Sequence, residues 1–502
     1  MNEELRKTYD ALVADTKEIS DLDNIQGLLG WDQETYMPPK GIDAKSRQLS
    51  LMAGIVHRRQ TDLKRGEWLT TLRAAHTELS EGERATVREL SRTFDRLTKL
   101  PPELVEEQSR VCAHGHEAWI KARKASDFSI FAPWLEKVIG LKRRIAEHWG
   151  YAETPYDAML DDYEPGATAR STGEVLEGLR VKLVPWVKKI AQSSFTPRTD
   201  FFERGFPAEA QRQVAERTIA LIGFDTEAGR LDVSAHPFCT GTGGDVRLTT
   251  RFLPNLPFAS FFGVIHEAGH GMYEQGLPPE HLGAPLGVSC SMSIHESQSR
   301  MWENIVGRSR PFLSFVEPML RDAFPRQLEG VTLDELCGAV NQVKPSLIRV
   351  EADEVTYGLH IVVRFEIERD LMSGALSVGD LPRAWNAKMQ EYLGVTPPDD
   401  SQGCLQDIHW SLGYVGYFPS YALGSLNAAQ FFAACKRAIP DLEQRFAKGD
   451  FSALLSWLRQ HIHSAGRQYL PNGLVEHVTG RSPSADDFMD YIAAKYGSLY
   501  RV

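Results

Sequence analysis

One stretch constrains this chain more than any other. The strongly apolar, helix-competent run Phe258 to Ile265 passes directly into His266-Glu267-Ala268-Gly269-His270 and continues through Met272 and Tyr273. On a helix, residues four apart share a face, with Cβ atoms about 5–6 Å from each other. His266 and His270 therefore point the same way and can grip one zinc at about 2.0–2.1 Å. Glu267, one position along, misses the direct coordination shell and can instead take a proton from a water on the metal. Phe261, Phe262, Val264 and Ile265 would bury the helix, and buried histidines need partners. Gly269 weakens the helix by about 1 kcal/mol relative to Ala, which points to close backbone packing.

The rest of the chain predicts where such a helix is housed. The first 195 residues show helical spacing, with Leu5, Tyr9, Leu12 and Val13 at intervals of three and four. The same spacing recurs over Leu79–Leu97, Pro102–Ala125 and Thr172–Ile190. Breaks fall at Met37-Pro38-Pro39, Pro101-Pro102 and Tyr163-Glu164-Pro165-Gly166. From Val233 to Pro257 glycine rises and the helical period fails. Asp245-Val246-Arg247-Leu248-Thr249 alternates as a strand, with Asp245, Arg247 and Thr249 on one face. Helical spacing then returns, interrupted at Gly276–Gly287, Thr396–Gly403 and Gly416–Gly424. The expectation is a mainly α protein with one small sheet, a single unit over 1–502 with a helical 1–195 part and a 196–502 part carrying the chemistry.

Composition removes several function classes. Apolar residues make up 42% of the 502 positions, enough to build a large core. The net charge of -11 repels phosphate backbones and anionic lipid, so neither nucleic acid nor membrane is an expected partner. The charged N-terminal stretch has no signal-like apolar segment, and six scattered cysteines read as reduced thiols. A cytoplasmic location is expected.

A zinc site that works on a substrate needs a third protein ligand and one open position. Glu274, Glu280, His281, His295, Glu296 and Glu303 are the downstream candidates. Glu296, in His295-Glu296-Ser297-Gln298-Ser299, is the best carboxylate on the helical pattern that restarts at Ser293; the alternative reading is a solvated helix carboxylate. Other clusters are His236-Pro237-Phe238, the pair Arg349 and Asp353 four apart on an expected helix, and Gly403, Gln406, Asp407, His409 and Trp410. Tyr417-Phe418-Pro419-Ser420-Tyr421 follows. Taken singly, each reads as packing, a turn or an intrahelical ion pair.

Taken together, they carry a resemblance. His236-Pro237-Phe238, Asp245 to Thr249, His266 to His270, His295 to Ser299, Ile348 to Asp353, Gly403 to Trp410 and the opening Trp31-Asp32-Gln33-Glu34-Thr35-Tyr36-Met37-Pro38 resemble the M32 (carboxypeptidase Taq) family of metallocarboxypeptidases, in order and over almost the whole chain. The resemblance implies a large saddle-shaped, gluzincin-like helical body with a deep groove, a small sheet beside the active site, and a homodimer. It makes His266, His270 and Glu296 the ligands of one divalent metal per chain (Zn²⁺, with Co²⁺ equally compatible with such donors) and Glu267 the general base and acid. It also implies that peptides with a free C-terminus are the substrates and single amino acids the products.

The chemistry adds further expectations. A developing oxyanion needs a neutral donor: Tyr421, with His409 beside it and Tyr417 as the alternative. A free carboxylate calls for a guanidinium, and Arg349 and Arg247 are not ranked by spacing. The Asp245–Thr249 strand is expected to pair along its edge with extended substrate, and His236 and Asp245 complete the substrate-binding set. The rivals are an oligopeptidase or dipeptidyl carboxypeptidase on a related scaffold, and a peptide-binding scaffold without catalysis.

Overall fold

The computed structural model describes residues 1–502. Nine helices precede the sheet, and the first eight are α1 (Glu3–Thr35), α2 (Ile42–Gln60), α3 (Leu63–Ala74), α4 (Glu81–Lys99), α5 (Pro102–Ala125), α6 (Ala132–Trp149), α7 (Pro155–Tyr163) and α8 (Ala169–Ala191). Proline at the first turn opens α5 and α7, where a missing N–H costs no hydrogen bond. A reciprocal Ser80–Glu83 capping box opens α4. After α9 (Ala208–Ile222) come β1 (Gly229–Val233), β2 (Phe238–Thr242) and β3 (Asp245–Thr250), and then α10 (Pro257–Glu274) and α11 (Met292–Arg300). The remaining helices are α12 (Arg310–Ala323), α13 (Leu333–Val340), α14 (Glu354–Ser373), α15 (Leu381–Leu393), α16 (Pro419–Ala438), α17 (Leu442–Phe446), α18 (Ser452–His461), α19 (Pro471–Thr479) and α20 (Asp486–Tyr500). The protein is mainly α with one three-stranded sheet, and no helix is long and apolar enough to cross a membrane.

One apolar cluster of 102 buried residues runs from Leu104 to Tyr500. A satellite cluster of seven, Leu5, Leu12, Leu69, Leu72, Leu79, Val87 and Leu90, joins α1, α3 and α4. With less apolar matter buried, the N-terminal layer is expected to open at a lower free energy than the main core, which hydrogen exchange would measure.

Three expectations are corrected here. The strand order is β1-β3-β2, with β1 parallel and β2 antiparallel to β3. The Asp245–Thr249 strand is therefore the middle strand, and its hydrogen-bonding edges are both occupied. Sequence alternation reports which face is buried, as Val246 and Leu248 are, but not which strand is central. Secondly, Arg349 and Asp353 do not share a helix. Arg349 lies in a short 3₁₀ turn, and Asp353 caps α14 by accepting from the Val355 and Thr356 N–H groups. Thirdly, the interruption after Gly416 ends at Phe418, and Gly424 lies within α16.

Candidate metal centre and active site

Three helices make the site, and two glycines set their spacing. A Cβ at Gly269 of α10 would stand 2.7 Å from the Ser299 Cα and 2.8 Å from the Gln298 carbonyl oxygen of α11. A Cβ at Gly424 of α16 would stand 2.5 Å from Glu296 Cγ and 2.6 Å from its Cβ. Real Cβ atoms do not approach that closely, so α11 is gripped between two neighbours at positions only glycine allows. Glu164, at the end of α7, clamps the start of two of these helices. Its buried carboxylate accepts from the Ser293 N–H at 2.6 Å and hydroxyl at 2.7 Å on α11, and from the Ser420 hydroxyl at 2.8 Å on α16. A carboxylate near helix N-termini also meets favourable dipoles. Sequence reading took the Tyr163–Gly166 segment for a turn only.

Packed this way, α10 and α11 bring His266, His270 and Glu296 together, with one ligand atom from each within 4.8 Å of the others. Glu296 Oε2 lies 3.6 Å from His266 Nε2 and 3.5 Å from His270 Nε2. Tetrahedral coordination at about 2.0–2.2 Å separates donors by roughly 3.3–3.5 Å, so two imidazoles and one carboxylate fit a divalent cation. The far nitrogens are also committed. His266 Nδ1 donates to Glu303 at 2.9 Å, and His270 Nδ1 contacts His295 Nδ1. His295 Nε2 in turn donates to Glu274 at 2.8 Å. Both imidazoles are thus fixed with Nε2 facing the shared point. Three of the alternative ligand candidates, Glu274, His295 and Glu303, stand behind the cluster as its supports.

Glu303 is delivered by a π-helical turn, Met301–Gly307, that continues α11. It is held there by Arg300 Nη1 at 3.3 Å and Arg308 Nη2 at 3.2 Å. Arg300 also donates through Nε to Glu296 Oε1 at 2.7 Å, leaving Oε2 to face the imidazoles. Glu303→Ala is expected to lower metal affinity about 10- to 100-fold. Competition with a chromophoric chelator measures this, and an unchanged affinity would make the contact idle.

Burial and charge tune the cluster. Burial raises Glu296, yet Arg300 and the two imidazoles hold it well below the carboxylate range. Burial and the adjacent His295 bring His270 down to about 3, which keeps it neutral as a ligand must be. Glu267 is 7% exposed and is pushed up to about 7, chiefly by burial; the Glu296 and Glu303 charges add to this, and His266 opposes it. A carboxylate near neutrality can both accept and return a proton.

A second cluster adjoins the first through Arg300, whose guanidinium lies 4.4 Å from the Tyr357 ring centre. The Tyr357 hydroxyl is 3.2 Å from Arg349 Nη1. Arg349 also pairs with Asp407 through Nε at 3.0 Å and Nη2 at 2.9 Å, and it lies 4.9 Å from the Tyr421 ring centre. Arg364 shares the same carboxylate, with Nε at 2.7 Å from Asp407 Oδ2. Two buried guanidinium groups against one carboxylate leave a fixed excess positive charge. Tyr421 OH stands 3.4 Å from His409 Nε2, and the Tyr417 ring packs 5.3 Å from the Tyr421 ring. Burial brings His409 down to about 4 and raises the Tyr421 hydroxyl.

The remaining expected residues lie apart from these clusters. Arg247 makes paired hydrogen bonds to exposed Asp245 at 2.9 and 3.0 Å and stacks 4.2 Å from the Trp31 ring centre. The opening signature thus packs α1 on the sheet, and Tyr36 adds a hydroxyl bond to Asp232 at 2.5 Å. His236 is exposed in the turn between β1 and β2, where its carbonyl accepts from Ser234. Cys239 on β2 feels the charges of Glu267 and Glu274, which add to burial in pushing its thiol up, so β2 runs beside the proposed base.

The chain as a whole is similar to known proteins. The profile of the family described as "Carboxypeptidase Taq (M32) metallopeptidase" matches residues 11–496. The chain is 42% identical to thermostable carboxypeptidase 1 of Thermus thermophilus, over 98% of this chain and 99% of that protein. It is 37% identical to carboxypeptidase 1 of Bacillus subtilis, over 96% of this chain and 97% of that one. The crystal structure of an M32 carboxypeptidase from Deinococcus radiodurans superposes with a TM-score of 0.95 at 41% identity, covering 99% of this chain and 100% of the other.

Proposed function

The chain belongs to the carboxypeptidase Taq (M32) family and is a metallocarboxypeptidase, and from that premise we propose that it removes single amino acids, one after another, from the free C-terminus of peptides. The observation that carries this reading is the contact chain from Glu296 through Arg300 and Tyr357 to Arg349. It sets a buried cation beside the two-imidazole, one-carboxylate triangle.

His266, His270 and Glu296 would hold a divalent cation, zinc or cobalt, which would supply Lewis acidity toward a carbonyl and a water. Glu267 accepts the proton of the attacking water at its carboxylate and passes it to the departing amine nitrogen. The hydroxyl of the water ends on the carbonyl carbon, so the bond breaks with one water consumed. Tyr421 donates its hydroxyl to the oxygen on which charge develops; His409 fixes its position, and Tyr417 stands next to it. Arg349 spends three of its five N–H donors on Asp407 and Tyr357 and keeps two for the substrate carboxylate. β3 has no free edge, so the outer edge of β2 offers backbone groups to extended substrate.

The same reading carries a homodimeric cytoplasmic protein, a single catalytic unit over 1–502, whose partners are peptides. Mass spectrometry of a six-residue peptide tests the core of it. Metal-loaded protein should produce a ladder of products shortened by one residue at a time, and chelated protein should produce none. Loss of residues in pairs, or internal cuts, would transfer the assignment to a dipeptidyl carboxypeptidase or oligopeptidase.

A further inference from the structure

Three polar side chains of α14, Tyr357, Arg364 and Glu368, follow one another at helical spacings and so share one face. The first two belong to the clusters around the site: Tyr357 touches Arg300 and Arg349, and Arg364 holds Asp407. Arg364 also donates through Nη2 to Gln406 Oε1 at 2.8 Å. Glu368, one turn further on, is fully buried and lies outside both clusters.

Both of its oxygens are committed. Oε1 accepts from the Trp410 indole N–H at 2.8 Å. Oε2 accepts from the Gly416 N–H at 3.0 Å and from the Tyr156 hydroxyl at 2.7 Å. Trp410 follows His409 in the chain, and Gly416 precedes Tyr417. One carboxylate therefore grips both ends of the turn that presents His409 and Tyr417, while Tyr156 ties it to α7. Within the turn, the Tyr414 N–H donates to the His409 carbonyl at 2.9 Å. The turn matters to Tyr421 because His409 Nε2 stands 3.4 Å from the Tyr421 hydroxyl.

All three donors to Glu368 are neutral. Burial raises its carboxyl to about 7, against the pull of these donors and of the Arg364 charge. An apolar side chain of similar volume would fill the space without that desolvation cost. What a carboxylate adds is convergence: it fixes donors from α7 and from two points of the turn relative to α14.

We propose that Glu368 is a positioning residue for peptide hydrolysis: by holding Trp410 and Gly416, it sets where Tyr421, with His409 and Tyr417, meets the carbonyl oxygen. This rests on the reading of Tyr421 as the donor to that oxygen. Glu368 itself touches no reacting atom, and it makes no hydrogen bond to Arg349 or to the three residues of the metal triangle.

Turnover of a free-acid peptide by Glu368→Gln tests this, in a double-mutant cycle with Tyr421→Phe. Glutamine keeps the shape but sets an amide N–H₂ against donors that one oxygen now serves. kcat is expected to fall about 10- to 100-fold, as for a misplacement of about 1 Å, with KM and metal content unchanged. Both substitutions act on the same donor, so the double variant should lose little more than Tyr421→Phe alone. A staple with only a structural role lowers the melting temperature and leaves kcat per folded molecule intact; that result overturns the proposal, as do losses that multiply in the double variant. Normal turnover by Tyr421→Phe alone dismisses the donor reading instead, and the cycle with Tyr417→Phe then decides on Glu368 by the same rule. If Glu368→Gln does not fold, Trp410→Phe breaks the grip from the side of the turn and is read in the same cycle.

Discussion

Glu267→Gln is expected to retain its metal and to lose about 10²- to 10⁴-fold in kcat. Glutamine has nearly the same shape, so the buried slot between α10 and β2 is kept. Glu267 is not among the three residues that converge on the cation site, so metal stoichiometry should be unchanged. What disappears is a basic oxygen whose proton affinity burial has brought close to neutrality. Elemental analysis, thermal melting and turnover on one preparation separate the effects. Near-normal turnover with full metal would remove Glu267 from the mechanism, while loss of metal would reassign it as a ligand or ligand support.

Arg349→Ala should lower kcat/KM for a free-acid peptide by about two to three orders of magnitude, as expected when one partner of a buried charge pair is truncated. The C-terminal amide of the same peptide should be hydrolysed about as slowly by the variant as by wild type. Asp407 keeps Arg364 as a partner, so the substitution does not leave that carboxylate alone. Arg349→Lys retains the charge without the fork and should recover only part of the loss. Arg247→Ala gives up a stacking contact with Trp31 and should leave the preference for the free acid intact. If Arg247→Ala loses the preference and Arg349→Ala keeps it, the two arginines exchange roles.

The parts of the site that local spacing controls were legible in the sequence. His266 and His270 are one turn apart, and that alone puts both imidazoles on one helix face. Gly269 declared a close contact before its partner, the α11 backbone at Ser299, was known. Pro102, read as a break, sits where α5 opens. What stayed hidden depends on residues far apart in the chain. Glu164 reads as a turn residue until it reaches Ser293 and Ser420, more than a hundred positions away. Arg349 has a carboxylate four residues on, yet it pairs with Asp407, 58 positions away. Alternation in Asp245–Thr249 marks a strand, but whether its edge is free depends on where β1 and β2 fall. The re-phasing that brings Glu303 to His266 comes from a π-helical turn, for which the sequence carries no periodic signal.

The two glycines that set α10 against the α11 backbone and α16 against Glu296 have a mechanical consequence. Neither contact leaves room for a side chain on the glycine side, so the three helices are expected to move as one block. Flexing that admits or ejects long peptides is expected instead in the layer of α1, α3 and α4, whose own cluster has seven buried apolar residues against 102 in the main core. Libraries aimed at substrate length should therefore be drawn from that jaw, and libraries aimed at catalytic rate should leave Gly269 and Gly424 untouched.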